Sequence, residues 1–149
     1  MRNTAALLAL LTALATGGCA GNGTKPPLRG AEFNIRLEVN PAGGGSYTCT
    51  YLGGGGNGGD VTVAGPHQNN PADIKVHLKH AAGDPFVIDS GQVTDPNAQV
   101  TLRDIDAQKL VATFHDVNTL AGVEAYYKLV ILDTSTSTRF DCDPKIINN

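Results

Sequence analysis

The chain has 149 residues, a formal charge of −3 at pH 7, 41% hydrophobic and only 17% charged residues, which suits one folded domain rather than a disordered segment. No stretch concentrates its 11 Lys and Arg residues, so nothing is built to neutralise a run of phosphates, and nucleic acid is excluded as an expected partner. Tyr and Phe contribute four residues each and Trp none, which limits aromatic binding platforms to a few positions.

The chain begins with Arg2, an apolar run over residues 5–15 (AALLALLTALA) and then Thr16, Gly17, Gly18 and Cys19. A short positive start, an apolar stretch too short for a bilayer span and small residues at its end read as a signal peptide. The Thr-Gly-Gly-Cys segment resembles the lipobox of bacterial lipoproteins, with Thr16 standing where Leu is usual. That resemblance implies a signal peptide over residues 1–18 and Cys19 as the lipidated first residue of the mature protein. By resemblance to enterobacterial lipoproteins, Ala20 after the Cys, rather than Asp, implies sorting to the outer membrane on its periplasmic side, with the membrane as partner through the lipid. The alternative is cleavage after Ala15 at the Ala13-Leu14-Ala15 triplet, which leaves Cys19 a thiol. Residues 19–30 combine Gly and Asn with Pro26 and Pro27, the composition of a tether.

Residues 31–149 form a single expected domain in which period-two alternation dominates. Phe33, Ile35, Leu37 and Val39 alternate with Glu32, Asn34, Arg36 and Glu38. Further alternating segments centre on Val76, Val100, Ala112, Leu129 and Phe140, with shorter candidates at Tyr47 to Tyr51, Asp60 to Val63 and Pro85 to Ile88. Turn residues separate them, and no window sustains an amphipathic helix. The expected fold is all-β: an antiparallel β-sandwich, Ig-like in broad architecture, of about eight or nine short strands. Glycine-rich pieces around Gly44 and Gly54 read as mobile hairpin tips. The strand through Tyr127 is apolar on both faces, since Val130 and Leu132 lie opposite it. That predicts a central strand or a contact surface.

If Cys19 is lipidated, Cys49 and Cys142 remain as an even pair in an oxidising compartment, where a disulfide is the default. Both sit at inward positions, with Tyr47 and Tyr51 on one strand and Phe140 on the other. The bond is expected to tie an early strand to the last one.

The search for chemistry returns little. Residues 55–63 fit the calcium nonapeptide GGxGxDxUx apart from Thr62, which makes Asp60 the one metal candidate, but such sites are built between stacked repeats and a single copy is present. His77 and His80 face apart on a strand, and His77 shares its face with Lys75 and Lys79. His67 stands in a Pro/Asn loop, and His115 and Asp116, adjacent on a strand, face apart. A copper set lacks its Met and a Cys–His pairing, and no hydrolase motif is present. Asp104 and Asp106 read as turn formers, and Asp141 and Asp143 as polar residues of an edge. No cofactor is expected. Tyr126 is the best outward-facing aromatic, and with Val130 and Leu132 it makes up the candidate binding surface.

The C-terminal third, from Glu124 through Asp143, Pro144, Ile146 and Asn148, resembles DP-EP-type bacterial β-sandwich proteins, which end in an Asp-Pro-x-Ile-x-Asn tail. The resemblance implies a sandwich and no particular reaction. Taken together, the sequence predicts a non-enzymatic, envelope-tethered module that binds or scaffolds another envelope component. Two alternatives stand beside it: a small-ligand carrier or enzyme with a loop-built site, and a calcium-dependent module.

Overall fold

The structure, a computed structural model, describes residues 31–53, 60–63 and 71–148. Cys19, the tether, His67 and residues 55–59 of the nonapeptide segment lie outside them. Ten strands are found among the described residues: β1 (Ala31–Gly43), β2 (Ser46–Gly53), β3 (Val61–Val63), β4 (Ala72–Leu78), β5 (Phe86–Thr94), β6 (Val100–Ile105), β7 (Val111–Asp116), β8 (Val123–Asp133), β9 (Thr138–Cys142) and β10 (Lys145–Asn148). Nine correspond to the alternating segments of the sequence. β10 is additional, formed by the Asp-Pro-x-Ile-x-Asn tail.

The strands make two sheets. One runs β2-β1-β4-β7-β6; the other runs β3-β10-β8-β5, with β9 also paired to β8. The expectation of purely antiparallel pairing is corrected at two places. β1 pairs with β4 in parallel, Ile35 beside Val76, and β3 pairs with β10 in parallel, Val61 beside Ile146. Alternation reports which face of a strand is buried and carries no information on strand direction. Between β1 and β4 the chain passes through β2 and β3, an excursion long enough for the crossover that a parallel pair requires.

Alternation sorts side chains as the sequence predicts. On β1, Ile35 and Leu37 are buried while Asn34 and Arg36 are exposed; on β4, Ile74, Val76 and Leu78 are buried. The buried faces of the two sheets meet in the core. The ring of Phe114 on β7 lies 4.6 Å from that of Tyr127 on β8, and Tyr51 on β2 meets Tyr127 edge-on at 6.5 Å. Tyr47 stacks on Phe140 of β9 at 4.1 Å and meets Phe86 of β5 edge-on. Burial of these aromatics and of the Ile, Leu and Val side chains around them supplies the main stabilising term.

Cys49 and Cys142 form a disulfide that joins the two sheets, with Cα atoms 5.7 Å apart. It reaches β9, the last strand but one, because β10 follows. The Gly44–Gly45 corner is a tight two-residue turn between β1 and β2. Positive φ values of 61° and 79° at these residues suit the turn type that matches hairpin twist. Asp106 caps the β6–β7 turn by accepting from the N–H groups of Leu110 and Val111 at 2.6 and 2.8 Å. Asp104, by contrast, lies within β6. No helix among the described residues is long and apolar enough to cross a membrane.

Candidate functional site

β8 is central in its sheet, with β5 on one side and β9 and β10 in succession along the other. β9 pairs with the stretch of β8 from Leu129 to Asp133, and β10 with the stretch from Val123 to Tyr126. Between them the ladder is interrupted at Asp143 and Pro144. Pro144 has no N–H to give, and its carbonyl accepts from the Tyr127 N–H at 3.3 Å. A break of this kind re-aims the chain and opens space beside the intact strand.

A groove of about 460 Å³ lies at this break. Its lining comes from Asp60, Gln92, Thr94, Tyr126, Tyr127, Lys128, Asp143 and Pro144. Register explains the assembly: Gln92 is opposite Lys128, and Thr94 is opposite Tyr126, so four outward side chains of β5 and β8 stand together. Tyr126 is 53% exposed, the most exposed large hydrophobic side chain among the described residues. Its hydroxyl donates to the Glu124 carboxylate at 3.0 Å, which fixes the ring's orientation.

Beneath the groove, burial pushes the Tyr127 phenol well above its usual range, and coupling to the Tyr51 phenol and the Asp60 carboxylate pushes the same way. Burial does the same to Tyr51, aided by Asp143. Both phenols therefore stay protonated at neutral pH. The Lys128 ammonium bonds to the Asp141 carboxylate at 2.9 Å, and that bond raises its pKa.

Val130 and Leu132, the other two predicted contact residues, are half-buried on the same outer face of β8. Arg139 of β9 pairs with Asp89 of β5 at 2.8 Å, reaching across β8 at their level. An ion pair crosses this stretch, so apolar contact area is concentrated at Tyr126. The Arg139 hydrogen bond holds the Asp89 carboxyl below the usual range.

Asp60, the metal candidate, lies in the groove with Asp143, and no cluster of three or more His, Cys, Asp or Glu residues able to hold a metal occurs among the described residues. Of the histidines, His77 pairs with the Asn34 side chain at 2.9 Å on the outer face of the first sheet. His115 does acquire a carboxylate, but from Asp73 rather than Asp116. The His115 Nδ1 to Asp73 Oδ1 distance is 2.7 Å, and Arg103 donates to the other oxygen of Asp73 at 3.2 Å. The pair is cross-strand, with Asp73 directly opposite His115. With a guanidinium and an imidazole on one carboxylate, it is a surface brace between β4, β6 and β7.

Sequence reasoning missed Gln92, Thr94, Lys128 and Asp143 as partners of Tyr126. The outward residues of β5 were hidden because the strand is irregular between Ile88 and Ser90, which shifts the alternation by one.

No protein-family model matches this chain, and no curated protein matches it in sequence. Among solved structures it is similar to the one described as the solution structure of Amebosin, at 17% identity over 60% of this chain and 88% of that one. The TM-score is 0.25, a likeness too weak to carry an argument about fold or function.

Proposed function

We propose that this chain is a lipid-anchored envelope protein whose single β-sandwich domain, Ig-like in broad architecture, binds another envelope component without catalysing a reaction. Residues 1–18 act as the signal peptide, Cys19 carries the lipid on the periplasmic side of the outer membrane, and residues 20–30 hold the domain off the bilayer. The DP-EP-like tail fits the sandwich reading, since it supplies β10 and the Asp143–Pro144 step.

The observation that carries the reading is the exposed Tyr126 in a polar groove, on a face otherwise crossed by ion pairs. An exposed aromatic ring fixed through its own hydroxyl offers contact area at little entropic cost. The groove gives some support to a small-ligand carrier, because its volume falls within the roughly 300–1,000 Å³ common for small-molecule sites.

Two experiments test the proposal. A photo-crosslinking residue at position 126 should form an adduct in intact cells, whereas one at exposed Thr50 of the opposite sheet should not. Equal adducts at both positions would remove the binding claim. Cys19→Ser should move the protein from the membrane to the soluble fraction, and a membrane-bound variant would remove the anchor.

A further inference from the structure

We infer that the Tyr126 groove is a saccharide site, taking an uncharged pyranose chain laid over the Tyr126 ring. This rests on the proposal that the domain is a binding module and names the class of its ligand.

A pyranose presents an apolar face of axial C–H groups and a rim of hydroxyls, each both donor and acceptor. Binding one requires a flat apolar platform with mixed hydrogen-bonding groups around it. Tyr126 is that platform, 53% exposed and fixed at its hydroxyl by Glu124 at 3.0 Å. Around it, Gln92 offers an amide donor and acceptor, Thr94 a hydroxyl, Lys128 a donor, and Asp60 and Asp143 acceptors. Gln92 and Thr94 are opposite Lys128 and Tyr126 in register, so they are carried on two paired strands rather than on loops.

Charge narrows the class. The lining holds two carboxylates and one ammonium, and that ammonium is already bonded to Asp141 at 2.9 Å. The local potential is negative, which disfavours phosphate, sulfate and uronate groups. A divalent cation is a poorer occupant, because Lys128 is in the lining and no metal-holding cluster is found among the described residues. A peptide would favour an open strand edge or side-chain pockets. The ladder break at the groove spans only Tyr127 and Lys128, too short an edge to pair an added strand, and Arg139 and Asp89 cross the neighbouring Val130 and Leu132.

The test uses the full chain in a detergent without a sugar headgroup, titrated with cellotetraose and tetra-N-acetylchitotetraose and, as an anionic control, heparin. Binding is followed by calorimetry and by NMR shifts of Tyr126, Gln92, Thr94 and Lys128. A neutral oligosaccharide should saturate and shift these four residues. Tyr126→Ala should weaken binding at least about tenfold, and Tyr126→Phe, which keeps the stacking ring but loses the Glu124 bond that fixes it, should weaken it by clearly less. Because the side chain is exposed, both variants should unfold at the wild-type temperature. Heparin binding more tightly than the neutral chains, or shifts that survive Tyr126→Ala, would overturn the assignment. So would the absence of any neutral-sugar binding. In that last case an adduct at position 126 in cells would leave the binding module standing without its saccharide, and no adduct would remove both.

Discussion

The Tyr51 hydroxyl donates a 3.1 Å hydrogen bond to the carbonyl of Cys142, 91 residues further along the chain, in the opposite sheet. The Tyr51 ring meets Tyr127 edge-on, so one side chain ties β2 to both β8 and β9. Tyr51→Phe keeps the ring and deletes the donor, leaving a buried carbonyl without this bond. The expected cost is about 1–3 kcal/mol. In urea denaturation the midpoint should fall while the slope stays constant. An unchanged midpoint would mean that water replaces the hydroxyl without loss.

Cys49 and Cys142 close a loop with a sequence separation of 93 residues. In the chain-entropy model, a cross-link of that span removes enough freedom from the unfolded chain to stabilise by about 3–5 kcal/mol. Replacing both with Ser should therefore lower the melting temperature by roughly 10 °C or more for a domain of this size. The wild-type protein should lose the same amount on reduction, and reduction should not affect the double variant. The pair was legible in the sequence as the even pair left once Cys19 is set aside, with inward parity on both strands. The carbonyl bond from Tyr51 was not, since it depends on how the two sheets sit across the core.

Gly53 separates two readings of the glycine-rich region. Its φ is +100°, and a Cβ there would lie 2.8 Å from the backbone oxygen of Asn34, an atom that cannot swing away. Gly53→Ala should cost about 1–3 kcal/mol from strain and crowding. Gly44, at φ +61° with open space around it, should accept Asn at within about 0.5 kcal/mol, because Asn tolerates the left-handed region. Thermal unfolding of the two variants checks the contrast. Losses of similar size would make both glycines simple hairpin-tip residues, as composition alone suggested.

What the sequence displayed and what it hid follow from the kind of information each feature carries. Strands with one buried face, such as β1 and β4, are visible because alternation is a local property. The second half of β5 was hidden by the irregularity before Ser90. It is followed by Gly91, where a Cβ would lie 3.1 Å from Leu102 and 3.3 Å from Leu129. β10 was hidden because Ile146 and Ile147 are consecutive apolar residues, of which Ile146 is the buried one. Strand direction was hidden altogether. Tyr126 was legible by parity against Tyr127, whereas its neighbours Gln92 and Thr94, and the Asp73 partner of His115, depend on cross-strand register.

The charged groups set opposite limits on the pH range of stability. Asp133 is held below the usual carboxylate range, chiefly by the Ser135 side chain and also by Tyr47, whose hydroxyl donates to it at 2.8 Å. Glu32, bonded to Lys75, and Asp89, bonded to Arg139, are lowered as well. A carboxyl whose folded pKa is depressed contributes stability above its unfolded value, about 4, and loses it as pH falls through the folded value. Stability should therefore decline below about pH 4, and Asp133→Asn should lower neutral stability while making the acid limb shallower. At the other end, burial raises Tyr51 and Tyr127, so their contribution is complete below the unfolded phenol value of about 10 and is lost as pH rises beyond it. Tyrosinate absorbance from these two rings should appear together with the loss of near-ultraviolet circular dichroism. Ionisation of all four tyrosines in a still-folded protein would contradict the burial of Tyr51 and Tyr127 between the sheets.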